Sequence, residues 1–175
     1  MSKYPAYLAG QRLTAALLTA AQCDTTVKGS ATTKTNNTLA NDPELSGVAL
    51  GVGTWEIYML IMVANSGSAT PDVKTQWSFT GTWNNPLRAI IGPSSTNTGG
   101  SDAITPMKLR AIATNADNAC GLPVSSAYNV IEERCNTVVV TVAGTLALYW
   151  AQNTTDAVNG TVVQPGSTIK VRQIA

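Results

Sequence analysis

The chain has 175 residues, 44% of them hydrophobic, which suits one domain with a full core and a short appendage. Charged residues make up only 12% and the net charge is +1, so the composition offers no cationic footprint for nucleic acid or an anionic membrane, and neither is expected as a partner. The longest apolar run, Ile57 to Ala64, is of strand length and far short of the roughly 18 residues that span a bilayer.

The first predicted element lies in YPAYLAGQRLTAALLTAAQ, Tyr4 to Gln22. Leu13, Leu17 and Leu18 fall on one stripe of a short helix, with alanines between them, and either Gly10 or a Thr14 cap sets its start. At about three turns such a helix is marginal alone and needs a surface to lie on. Gln11 and Arg12 interrupt the apolar stretch behind Lys3, unlike the unbroken centre of a secretory signal, so synthesis in a cytoplasm is expected. The division expected is an arm over residues 1–23 and a β domain over 24–175.

From Cys23 to Leu45 the chain is rich in Thr and Asn, with turn signals at Lys28-Gly29 and Asn41-Asp42-Pro43, and is expected to form irregular edge strands and loops. TWEIYMLIMV then alternates Trp55, Ile57, Met59, Ile61 and Val63 against Glu56, Tyr58, Leu60 and Met62. Both sides of this strand are mostly apolar, so one face meets the core and the other needs a second layer or subunit. DVKTQWSF sets Val73, Thr75, Trp77 and Phe79 inward and leaves Lys74, Gln76 and Ser78 wet.

The stretch from Gly81 to Thr105 carries NNP, GP and NTGG and is expected to be loop with one strand at LRAII. Further strands are expected at MKLRAIA, SAYNVIEER, NTVVVTV, TLALYWAQ, GTVVQ and STIKVRQIA, with Ala143-Gly144 as a tight hairpin link. Strands spaced by about ten residues, with longer loops for Greek-key crossings, predict an all-β antiparallel jelly-roll sandwich.

The chain holds no histidine, which removes the commonest general base and transition-metal ligand. Glu132 and Glu133 are adjacent, and neighbours on a strand point to opposite faces, so they do not form a catalytic pair. Gly51 to Gly53 precedes a strand and is expected to be a turn, not a phosphate loop. Asp72, Asp102 and Asp117 lack the spacing of an acidic calcium loop. No cofactor, metal or catalytic residue is expected. Three cysteines without metal or redox spacing are expected to be buried thiols, with a Cys120–Cys135 bond between neighbouring strands as the alternative. Trp55, Trp77 and Trp150 fit the core. Trp83, beside Asn84, Asn85 and Pro86, is expected in a loop, either packed at a core or interface or serving as a candidate ligand contact for sugar or protein.

TLALYWAQNTTDAVNGTVVQPGSTIKVRQIA, Thr145 to Ala175, resembles the last hairpin of trimeric jelly rolls of the tumour-necrosis-factor (TNF-like) and complement-globular-head kind. It is more similar to small virion proteins of tailed bacteriophages that infect actinobacteria, in which the Tyr4 to Gln22 arm also has a counterpart and TLANDPEL recurs before the first long strand. The likeness covers both ends and part of the middle, and its motifs are structural, not chemical.

It implies a homotrimeric capsid decoration (cement) protein on the outer surface of the virion. Leu13, Leu17 and Leu18 would dock the arm on the major capsid protein or another virion protein. The alternative it leaves is a minor tail or fibre-tip protein that binds the host surface or its glycans. The residues themselves also favour association. Tyr58, Leu60 and Met62, together with Tyr149 opposite the Leu146, Leu148 and Trp150 face, leave more apolar surface than one sandwich hides, and form the predicted trimer interface. Burying about 1,000 Å² of apolar area is worth on the order of 25 kcal/mol before association costs.

Overall fold

The computed structural model describes residues 23–65, 72–84, 86–94, 107–122 and 128–174. The expected arm helix, with Leu13, Leu17 and Leu18, lies outside the described residues, as does Asp102. Fourteen strands occur among the described residues: β1 (Asp24–Val27), β2 (Thr32–Lys34), β3 (Ala40–Asn41), β4 (Val48–Leu50), β5 (Gly53–Asn65), β6 (Val73–Phe79), β7 (Thr82–Trp83), β8 (Leu87–Pro93), β9 (Met107–Ala113), β10 (Asn118–Cys120), β11 (Tyr128–Val142), β12 (Gly144–Gln152), β13 (Thr161–Val163) and β14 (Thr168–Gln173).

They form two antiparallel sheets. The first runs β1-β14-β5-β11-β8-β9, with β13, β2 and β7 attached; the second runs β10-β6-β12-β3, with β4 also on β12. From β4 onward the chain steps from one sheet to the other at most connections, which is jelly-roll connectivity. The exceptions are the run β7, β8, β9 and the link from β13 to β14, all within the first sheet, which the β8–β9 pair extends beyond β11.

The long central strands follow the predicted alternation. Trp55, Ile57, Met59, Ile61 and Val63 of β5 are all buried and face Trp77, Leu146, Leu148 and Trp150 of the second sheet across one core. SAYNVIEER and NTVVVTV, expected as two strands, are from Tyr128 onward one strand, β11, with a register shift between Cys135 and Val138. The irregularity is what allows this. It moves the inward set from Ile131, Glu133 and Cys135 to Val138 and Val140, so both halves bury their apolar residues.

The Ala143-Gly144 link is not a hairpin, because β11 and β12 lie in different sheets. The chain turns a corner there. A Cβ on Gly144 would strike the Gly81 backbone, and one on Gly81 would strike the Val142 carbonyl oxygen and the Phe79 ring. Two glycines meeting backbone to backbone let the strand change sheets in so little chain. Cys120 and Cys135 are buried, unbridged thiols, as expected, on β10 and β11, which lie in different sheets; Cys23, also expected to be buried, is exposed.

Two ion pairs are fully buried, and the first, formed within the first sheet, is hydrogen-bonded across the core to β6 of the second. Glu133 points inward from β11, and its carboxylate lies 2.7 Å from Arg88 of β8, both side chains fully buried. That carboxylate also accepts the Trp77 indole N–H at 2.5 Å and the Thr75 hydroxyl, while Arg88 Nη2 donates to the carbonyls of Thr75 and Ala116 at 2.7 and 2.8 Å. In the second pair Lys28 Nζ sits 2.8 Å from Asp42 Oδ1 and donates to Thr32 Oγ1 at 2.7 Å. The Asp42 carboxylate further accepts the N–H groups of Glu44, Leu45 and the Trp150 indole. Buried charges are tolerated only when paired and hydrogen-bonded to this degree.

Candidate functional site

The outer face of the first sheet is assembled by register. Tyr58, Leu60 and Met62 alternate with the inward residues of β5 and are half-buried on its far side. Across the sheet, Leu109, Ile91, Glu132, Leu60 and Thr168 are successive cross-strand partners, and Val130 lies beside Met62. Directly paired residues share a face, so Leu60, Met62, Ile91, Leu109 and Val130 make one apolar band broken by Glu132. Leu109 is 75% exposed, Tyr128 69% and Val130 45%. A long β surface with side chains this open is unusual for an isolated domain.

Charged residues flank the band. Arg134 lies across from Tyr58 and 3.8 Å from Glu132, and Glu56 pairs with Arg172 at 2.6 Å. The Tyr58 phenol is pushed up, first by burial and then by the Glu132 charge, with Arg134 opposing. Of the residues expected at the interface, Tyr58, Leu60 and Met62 share this face. Tyr149 does not: it belongs to β12, opposite Gln76, on the outside of the second sheet. The most exposed members, Leu109, Tyr128 and Val130, were missed in sequence because short runs such as MKLRAIA do not reveal which parity faces out until they pair with β8.

Tyr149 belongs instead to a cleft of about 260 Å³, lined also by Gln76, Ser78, Phe79, Trp83 and Asn115. Trp83 is not in a loop, as expected from its neighbours, but in β7, paired to Val140 of β11. It is partly buried against the core, and the Phe79 ring stacks on it with centroids 4.7 Å apart and planes at 21°. Asn84 fixes the strand through two hydrogen bonds to Val139, its N–H donating at 3.1 Å and its Oδ1 accepting at 3.2 Å. The Gln76 amide donates to the Asn115 carbonyl, tying the wall of the cleft to the turn after β9.

The glutamates behave as strand neighbours should. Glu132 is on the outer face and Glu133 is sealed in the core, where Arg88, Trp77 and Thr75 occupy its oxygens. They cannot act on one substrate. Asp117 is half exposed and lies 3.8 Å from Lys74, and among the described residues no three His, Cys, Asp or Glu side chains are grouped to hold a metal ion.

No protein-family model matches the chain, and no curated protein matches it. Among solved structures it is similar to a chain in a structure of infectious bursal disease virus Gt strain, at 9% identity and a TM-score of 0.40, over 87% of this chain and 33% of that one. A chain in a structure of the Gx strain of the same virus is similar at 10% identity and a TM-score of 0.33, over 88% and 36%. This chain therefore spans about a third of the length of the viral chains it matches.

Proposed function

We propose that this chain is a non-enzymatic structural protein of a tailed-bacteriophage virion. It is a homotrimer that decorates the outer surface of the capsid and is held there by its N-terminal segment. The observation that carries the reading is the apolar band on the outer face of the first sheet, where Leu109 and Val130 are exposed beside Leu60, Met62 and Ile91. A face of this kind gains most when another copy covers it. The sequence likeness to phage virion proteins at both ends of the chain, and the jelly-roll connectivity between them, support the same assignment. The non-enzymatic part rests on the placement of Glu132 and Glu133 on opposite faces, with the Glu133 oxygens occupied by core partners.

Sedimentation equilibrium of the full chain at micromolar concentration tests the assembly, with a trimer expected. Leu109→Glu combined with Val130→Glu is expected to give folded monomers with an unchanged circular dichroism spectrum. A wild-type protein that stays monomeric refutes the reading. Imaging of intact particles tests the location: many copies at three-fold positions of the head are expected, and a few copies at the tail tip overturn the decoration role.

A further inference from the structure

We propose that the cleft at Trp83 binds a neutral saccharide unit. This goes beyond the assembly reading and does not depend on it: apart from Trp83 on β7, the cleft is lined by β6, β12 and the turn after β9, none of which carries a residue of the apolar band.

The chemistry of the lining selects the ligand class. Phe79, Trp83 and Tyr149 supply aromatic surface, and Gln76, Ser78 and Asn115 supply amide and hydroxyl groups, with no charged side chain among them. A phosphate, sulfate or carboxylate ligand would need a cation or a set of converging backbone N–H groups there. A pyranose instead presents a C–H-rich face that lies on an aromatic ring and a rim of hydroxyls that both donate and accept. The Trp83 indole N–H, the Tyr149 and Ser78 hydroxyls and the Asn115 carboxamide make no hydrogen bond among the described residues, and so are free for such a rim. The volume of about 260 Å³ falls just below the roughly 300–1,000 Å³ of pockets for drug-sized ligands, which suits one sugar unit at a chain end or branch.

The platform is also rigid before any ligand arrives. Trp83 is held by its pairing with Val140, by the Asn84–Val139 clamp and by the Phe79 stack, and the Gly81–Gly144 contact fixes the corner beneath it. Little ordering cost remains at binding, the usual requirement for a shallow site to hold a small ligand.

Saturation-transfer NMR and tryptophan fluorescence on the full chain test this with glucose, galactose, mannose, arabinose, N-acetylglucosamine and their β-linked dimers, with glucose 6-phosphate as the charged control. At least one neutral sugar is expected to bind with a dissociation constant in the millimolar range, and the phosphate more weakly. Trp83→Ala is expected to weaken binding about tenfold or more. Because Trp83 also packs on Phe79, Asn115→Ala and Tyr149→Phe serve as surface variants that leave the fold intact, and both are expected to weaken binding. No response to any sugar up to roughly 50 mM, equal binding of glucose 6-phosphate, or binding unchanged in all three variants overturns the proposal.

Discussion

Replacing Glu133 with glutamine strands a cation in the core. The Arg88 guanidinium, fully buried, would lose the only carboxylate that faces it among the described residues, and one of the groups now donating to Glu133, Trp77 or Thr75, would face an amide N–H in place of an oxygen. Breaking a buried pair from one side costs about 3–5 kcal/mol. For a chain of this length each kcal/mol moves the melting temperature by roughly 2–4 °C, so Glu133→Gln is expected to lower it by roughly 6–20 °C. Thermal unfolding followed by tryptophan fluorescence, at one fixed protein concentration so that association does not enter the comparison, reads this directly. Adding Arg88→Met to Glu133→Gln removes the stranded charge and is expected to restore roughly 1–3 kcal/mol, a coupling that only neighbours in one network show. A loss below about 1 kcal/mol for Glu133→Gln, or a double variant equal to the sum of the two single losses, would refute a desolvated ion pair in the core.

Two further outcomes follow from the same core. Lys34 lies 4.4 Å above the Trp150 ring and donates to the carbonyls of Ala40 and Trp150; burial pushes its pKa down to about 8, more than the nearby Asp42 raises it. Its folded value is below the unfolded one, so the penalty is fully present below pH 8 and is relieved as pH rises from about 8 to about 10.5. Stability is expected to rise across that window by more in the wild type than in Lys34→Gln, and an amine resonance of the ¹³C-methylated protein that titrates near 8 and vanishes in that variant checks the assignment. Gly144→Ala places a methyl group against the Gly81 backbone, which no side-chain rotation relieves; a loss of about 3 kcal/mol is expected in urea unfolding, and a neutral result would show that the corner between the sheets is open.

Local pattern carried much of the fold. Period-two alternation in TWEIYMLIMV and TLALYWAQ is set by the pleat itself, so Ile57, Ile61, Leu148 and Trp150 had to share a core whatever the topology. The same geometry separated Glu132 from Glu133 before any partner was known. What pairs with what was not legible. The irregularity after Cys135 joins two apparent strands, and the Gly81–Gly144 contact turns an apparent hairpin into a change of sheet; both depend on contacts between segments distant in sequence. The sites lay in that second category. Lys28 and Arg88 look like solvated charges until Asp42 and Glu133 arrive from other strands to neutralise them. Leu109 and Val130 become one exposed band only through β8, and Trp83 meets Tyr149 and Asn115 only where three segments converge. Sequence determined which residues alternate and therefore that a two-layer β core forms, because the pleat is local; tertiary structure alone decided which surfaces remain open and which polar groups share a cleft, because those depend on register and on which strands become neighbours.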